Sequence, residues 1–230
     1  MLILIFKGIS MKRSVSSRQK GFTLVEIAIV LVIIGLLLGG VLKGQEMIES
    51  AKAKALVNEI KGVQAAYNGY QDKFRAVPGD DIRATTNLGV TVNGITILNP
   101  TGGTAGNGLI DSGTWVGAAT PVVGNQSALF WQHVRAANLV TGDAANGQAT
   151  NAVGGLMGVT NTVQFTGFAG RYVCTGTIDG KYAKMIDLML DNGVGDTGSV
   201  MVKAGAASAG ALGPVAIPTP GTIYTVCASF

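Results

Sequence analysis

Histidine occurs once in these 230 residues, cysteine twice and proline six times, and only 13% of the side chains are charged. Each shortage excludes something. A serine or cysteine hydrolase needs a base beside its nucleophile, and one histidine with no GxSxG turn gives that reading no support. HExxH, CxxC and phosphate-loop patterns are absent, so zincin, dithiol and nucleotide chemistry lack their signatures. Internal repeats are absent as well. No acidic residue precedes Glu26, although five basic ones do: Lys7, Lys12, Arg13, Arg18 and Lys20. The chain is not expected to be an enzyme.

What the sequence does have is one long apolar run. Residues 22–42 are 21 in number, and Glu26 is their only charged member. As an α-helix they would extend about 32 Å, enough for the roughly 30 Å hydrocarbon core of a bilayer. The basic flank lies on the N-terminal side only, which orients the N-terminus to the cytoplasm and sends the remainder across the membrane. An acid in such a segment costs roughly 2.5–3.5 kcal/mol on insertion scales and calls for a partner. A second role for Glu26 is capping, since an acid near a helix N-terminus is favoured by the dipole and the free N–H groups. A simple signal anchor is the plain alternative for the whole segment. A secretory signal peptide fits less well, because the run is too long and no small-residue cleavage site follows it.

The step from Lys20 and Gly21 into Phe22, Thr23, Leu24, Val25 and Glu26, followed by the apolar helix, resembles the type IV prepilins and the pseudopilins of type II secretion. The resemblance covers roughly residues 18–75. It implies cleavage by a prepilin peptidase between Gly21 and Phe22, N-methylation of the new amine on Phe22, and pairing of Glu26 with the terminal amine of a neighbouring subunit. It also implies an α+β fold, with a long N-terminal helix packed on a small antiparallel sheet. The leader would be residues 1–21, the long helix 22–76 with 22–42 in the membrane, and the globular domain 77–230. Within the leader, Met11 begins a complete short basic segment and is the expected start, the residues before it being removed with the leader in any case.

The leader holds five of the 17 Lys and Arg and none of the 13 Asp and Glu. Residues 22–230 therefore carry 12 basic and 13 acidic side chains, a net charge of −1, and charge gives no reason to expect nucleic acid as a partner. Cys174 and Cys227 lie on the far side of the membrane by the topology argument, where a disulfide is allowed; the alternative is two separate buried thiols. Pilin-like proteins often staple the C-terminal part of the globular domain, so the resemblance favours the bridge. It would close 52 intervening residues and contribute roughly 4 kcal/mol in the chain-entropy account.

Beyond residue 42 the apolar positions Ile48, Ala51, Ala55, Leu56, Ile60, Val63, Tyr67, Tyr70 and Phe74 keep helical spacing, with charges mostly opposite. The helix would run about 80 Å to Phe74, with Gly35, Gly39, Gly40 and Gly44 as weak points and the aromatic stripe as core. Pro78, Gly79 and Asp80 end it. Asn93-Gly94 between alternating apolar residues marks a hairpin over 88–98. Residues 99–126 read as loop, 127–140 as a helix carrying His133 as a surface or satisfied structural residue, and 143–161 as a mobile loop. Strands are expected at 163–174, 199–203 and 222–227, with a short helix at 182–191.

Asp187, Asp191 and Asp196 form the best acid cluster, and hard oxygens of this kind suit calcium. Some pseudopilins bind calcium in a C-terminal loop loosely similar to this one. The other reading is capping and turn residues. The segment from Asn107 to Asp111 is a weaker loop of the same kind. Three functional readings stand: a type IV pilus filament subunit, a type II secretion pseudopilin, and a membrane-anchored domain that forms no filament. The expected partners are prepilin peptidase, further pilin subunits, an inner-membrane assembly platform and the lipid bilayer.

Overall fold

The computed structural model describes residues 21–102, 104–162, 165, 170–205 and 214–230. The basic residues of the leader, both candidate starts and half of the strand expected at 163–174 lie outside them. Helix α1 runs Leu24–Phe74, unbroken through its four N-terminal glycines, and α2 spans Ala84–Leu88. A hairpin of β1 (Thr91–Val92) and β2 (Ile95–Thr96) follows, then α3 (Gln126–Ala136), β3 (Ala149–Thr150), β4 (Leu156–Thr160), β5 (Tyr172–Asp179), α4 (Gly180–Leu190), β6 (Val200–Ala204) and β7 (Ile223–Ser229). Strands β3 to β7 form one antiparallel sheet in the order β3-β4-β5-β7-β6. The architecture is α+β, a long N-terminal helix and a small antiparallel sheet. The chain divides between Gln45 and Glu46 into two compact units, so residues 46–74 of α1 fold as part of the sheet-bearing one.

Those residues of α1 bury Ala53, Leu56, Val57, Ile60, Val63, Ala66, Tyr67 and Tyr70. The steps of three and four between them keep one face turned to a common core, shared with Val159, Val173, Val202 and Val226 from four strands. This corrects the start of the expected stripe. Ile48 and Ala51 are exposed, and burial begins at Ala53.

The termini of the short elements follow local chemistry. Asn125 caps α3 by accepting from the Ala128 N–H, and Asp179 caps α4 by accepting from the Lys181 N–H. Helix α3 stops four residues earlier than expected because Asn138 enters the left-handed region at φ 57°. Its N–H donates to the Arg135 carbonyl and that of Leu139 to the Val134 carbonyl, the paired bonds of a Schellman ending. In the hairpin, Asn93 at φ 50° and Gly94 at φ 81° supply the two positive angles a type I′ turn requires.

The loop expected at 143–161 contains β3 and β4. Gly158 sits inside β4 because a Cβ there would lie 1.6 Å from the Trp115 carbonyl oxygen. A strand carrying a glycine for close approach reads as a break. The final strands begin one residue later than expected and end at Ala204 and Ser229.

The segment after α1 is a buried polar junction. Asp80 accepts from the Gly106 and Gly108 N–H groups, each at 2.7 Å, and from the Gln126 amide at 2.6 Å. Asp81 accepts from the Tyr70 hydroxyl at 2.9 Å, the Asn87 amide at 2.7 Å and the Arg83 N–H at 2.8 Å. Gly79 turns at φ 88°, where a Cβ would meet the Gln126 carbonyl oxygen at 2.4 Å. Its N–H donates to Nδ1 of His133 at 2.9 Å, so the imidazole carries its proton on Nε2, which donates to the Leu98 carbonyl at 2.9 Å. His133 is thus fully buried and satisfied as the neutral ring.

Burial pulls the His133 pKa from 6.5 down to about 4. A lowered histidine pKa means the unfolded chain binds the proton first, so stability falls as pH drops from about 6.5 and levels off below about 4. The loss is about 3 kcal/mol in all. Histidine-selective NMR, with a single ring to observe, is expected to find it neutral down to about pH 4. A midpoint near 6.5 in the folded chain would contradict the burial.

Candidate functional site

At the start of α1 two side chains answer each other. Thr23 immediately precedes the first helical residue. Its hydroxyl oxygen accepts from the Glu26 N–H at 3.2 Å, while Glu26 Oε2 accepts from the Thr23 N–H at 2.8 Å and from the Thr23 hydroxyl at 2.8 Å. This is a reciprocal capping box, in which the acid three residues into the helix closes back on the N-cap. A helix leaves its first four N–H groups without internal acceptors, and in an apolar medium no water replaces them. The pattern [ST]-x-x-[DE] at 23–26 announces the box, and Thr23 is the residue the sequence reading passed over.

Gly21 and Phe22 lie just before the cap and are exposed. Beyond it the apolar residues are exposed all round the helix, from Leu24 at 91% to Leu42 at 63%. Among the described residues this is the single helix long and apolar enough to cross a membrane, and none of its most apolar window is buried. A helix apolar on every face is a span or a core element, because no polar side remains for water.

Cys174 on β5 and Cys227 on β7 face each other in register and are bonded. Both are buried beside Trp115, Phe165, Tyr172 and Met201. The bridge joins the two strands that hold the centre of the sheet to its far edge.

Asp187, Asp191 and Asp196 are not brought together as one ligand set. Among the described residues no group of three His, Cys, Asp or Glu side chains could hold a metal ion. Asp187 Oδ1 accepts from the Gly193 N–H at 2.8 Å, and Asp191 Oδ2 accepts from the N–H groups of Ser199 at 2.5 Å and Val200 at 3.1 Å. The loop after α4 folds back onto these carboxylates, and Asp191 is occupied in anchoring the start of β6. Burial pushes the Asp187 carboxyl above the ordinary range, and its Oδ2 has no partner. Asn107 likewise serves its own loop, donating to Asp111 and accepting from the Leu109 N–H.

Residues 16–42 match the family model of the prokaryotic N-terminal methylation motif. This is the prepilin-type cleavage and methylation signal of type IV pilins and pseudopilins. Neither the curated proteins nor the solved structures give a match. Motif and fold together support a membrane-anchored, pilin- or pseudopilin-like protein, a structural subunit rather than an enzyme. The motif implies processing by prepilin peptidase and assembly with other pilin subunits.

Thr23→Val removes the hydroxyl from the capping box and is expected to cost about 1 kcal/mol at the helix start. In lipid nanodiscs, amide hydrogen exchange at Val25, Glu26 and Ile27 should quicken several-fold. Unchanged exchange at all three would show that the box does not hold the first turn.

Proposed function

We propose that the chain is a structural subunit of a type IV pilus-like filament. The observation that carries this reading is the pairing of a prepilin-type signal with 19 helical residues, 24–42, that expose apolar side chains on every face. The precursor waits in the inner membrane, its N-terminus cytoplasmic and its sheet-bearing domain periplasmic. Prepilin peptidase cuts between Gly21 and Phe22 and methylates the Phe22 amine. An assembly platform then moves the helix from lipid into a bundle of identical helices, which offers the same apolar surroundings.

Cleavage does two electrostatic jobs. It removes the five leader cations, which would otherwise have to enter an apolar core. It also creates an amine at Phe22 with a reference pKa of about 7.7–8.0, largely charged at neutral pH. Glu26 supplies the counter-charge from a neighbouring subunit, and opposite charges in a low-dielectric medium hold each other strongly. The capping box supports this role. Both bonds from Thr23 fall on Oε2, and a carboxylate has about four acceptor positions. Oε1 can accept from the amine while Oε2 remains with its own helix.

Intact mass and N-terminal analysis of protein from native membranes is expected to give a chain beginning at N-methylated Phe22, two hydrogens lighter than the reduced form. Gly21→Ala should leave most of the chain unprocessed. Glu26→Ala should be processed yet assemble poorly, and Glu26→Gln, which keeps an oxygen for the cap but no charge, should behave the same way. Normal sheared-filament yield from either variant would remove the pairing role. An uncleaved wild-type chain would leave an anchored domain and end the filament reading. Abundant surface fibres favour a pilus subunit, whereas a trace, fibre-free subunit would point to a secretion pseudopilus.

A further inference from the structure

Asparagine followed by glycine occurs five times, at Asn68, Asn93, Asn107, Asn146 and Asn192. Such a pair can react with itself, because a glycine leaves no Cβ to crowd the approach of its amide nitrogen to the asparagine side-chain carbon. The reaction needs a free glycine N–H, a free side-chain amide and a backbone able to rotate between them.

Four of the five pairs lack these freedoms. Asn68 and Gly69 lie inside α1, where the backbone is helical and its N–H groups serve the helix. The Gly108 N–H donates to Asp80 Oδ2 at 2.7 Å, that of Gly147 to the Ala119 carbonyl at 2.9 Å and that of Gly193 to Asp187 Oδ1 at 2.8 Å. The asparagines of these three pairs are held as well. Asn107, Asn146 and Asn192 each accept through Oδ1 from the N–H two residues on, at 2.8, 2.9 and 2.8 Å, which fixes the side-chain carbonyl in an Asx turn. Asn93 and Gly94 differ on every count. Both are exposed. Among the described residues neither the Gly94 N–H nor the Asn93 side chain has a hydrogen-bond partner. Their turn closes a hairpin of two residues per strand, separate from the five-stranded sheet. So short a hairpin is marginal by itself, and rotation about the Asn93 Cα–C bond has little to break.

We propose that Asn93 is a self-modification site, converted to aspartate and isoaspartate with water as the only co-reactant. The Gly94 nitrogen gives its proton to solvent base and attacks Asn93 Cγ. The new C–N bond closes a succinimide ring, and the side-chain nitrogen leaves as ammonia, taking a proton from water. Water then opens the ring. Attack at the side-chain carbonyl restores the main chain, with aspartate at 93. Attack at the main-chain carbonyl leaves the chain running through the side-chain carbon, longer by a methylene. Either product puts a carboxylate where a neutral amide stood. Isoaspartate also lengthens a turn whose two positive angles set the pairing of Val92 with Ile95. Those two residues pack on the cluster of Ala84, Ile97, Ala136 and Ala144, so isoaspartate loosens the hairpin's hold on it. The site stands apart from the processing segment, so its outcome and that of the filament reading are separate.

The test incubates the full chain in detergent micelles at mildly alkaline pH, digests it in acid and maps the peptides with fragmentation that separates aspartate from isoaspartate. Asn93 is expected to convert roughly tenfold faster than each of the other four asparagines, since each of those must first break at least one hydrogen bond. The same incubation in denaturant removes the fold's protection, and the five rates should then come together. An Asn93 that stays intact, another pair that converts as fast in the folded chain, or a preference for Asn93 that is equally large in denaturant would each overturn the proposal.

Discussion

Nineteen helical residues, 24–42, with apolar side chains exposed on every face need an apolar surrounding, and the proposed route to a filament supplies one twice. In the proposed route the first surrounding is lipid. The second is the packed core of like helices that the prepilin-type signal implies. Water is excluded from both, which makes the helix start the sensitive point. Free N–H groups there must be satisfied by the chain itself, and the Thr23–Glu26 box does so. The same exclusion of water makes a cationic leader incompatible with the second surrounding. Cleavage and capping are in this sense two answers to one dielectric problem.

From residue 46 onward the helix obeys a different rule. Its apolar positions contract to one stripe, Ala53 to Tyr70, which the valines of four strands cover. Where the stripe ends, the chain has to turn back over the sheet, and the buried carboxylates Asp80 and Asp81 organise that turn. Asp80 gathers backbone donors from the 106–108 loop and the Gln126 amide, and Asp81 takes the Tyr70 hydroxyl from the helix itself. The Gly79 N–H fixes the tautomer of His133, which in turn holds Leu98. Long loops with little regular structure are thereby tied to the end of α1 by charge-assisted bonds as well as by buried apolar side chains such as Ile110. The Cys174–Cys227 bridge joins β5 to β7 within the sheet.

How much of this was legible depended on whether a signal is local. The span, the leader step, the hairpin turn at Asn93-Gly94 and the α3 and α4 helices are short-range patterns, and each could be read within a few residues. Strand β4 could not, because Gly158 answers to Trp115, 43 positions away, and a glycine read alone looks like a break. The junction was hidden for the same reason. Asp80 and Gln126 lie 46 positions apart, Gly79 and His133 54, and no spacing rule joins them. The three aspartates at 187, 191 and 196 failed in the opposite direction. Nearness in sequence suggested one ligand set, whereas the loop uses Asp187 and Asp191 separately as backbone acceptors.

Glu26 shows why capping and pairing need not compete. A carboxylate that served only the helix dipole could be replaced by any good N-terminal acceptor, and one that served only a neighbour's amine would leave the first turn open. Here the box draws on a single oxygen. The remaining oxygen keeps its lone pairs, and its geometry is already fixed by the bonds to Thr23. Ordering a flexible glutamate at the moment of assembly would subtract from the attraction, since each immobilised side chain loses rotamer entropy. The box removes that loss in advance. The residue that closes the start of the helix is thus held ready to receive a cation, which in the proposed route comes from cleavage between Gly21 and Phe22.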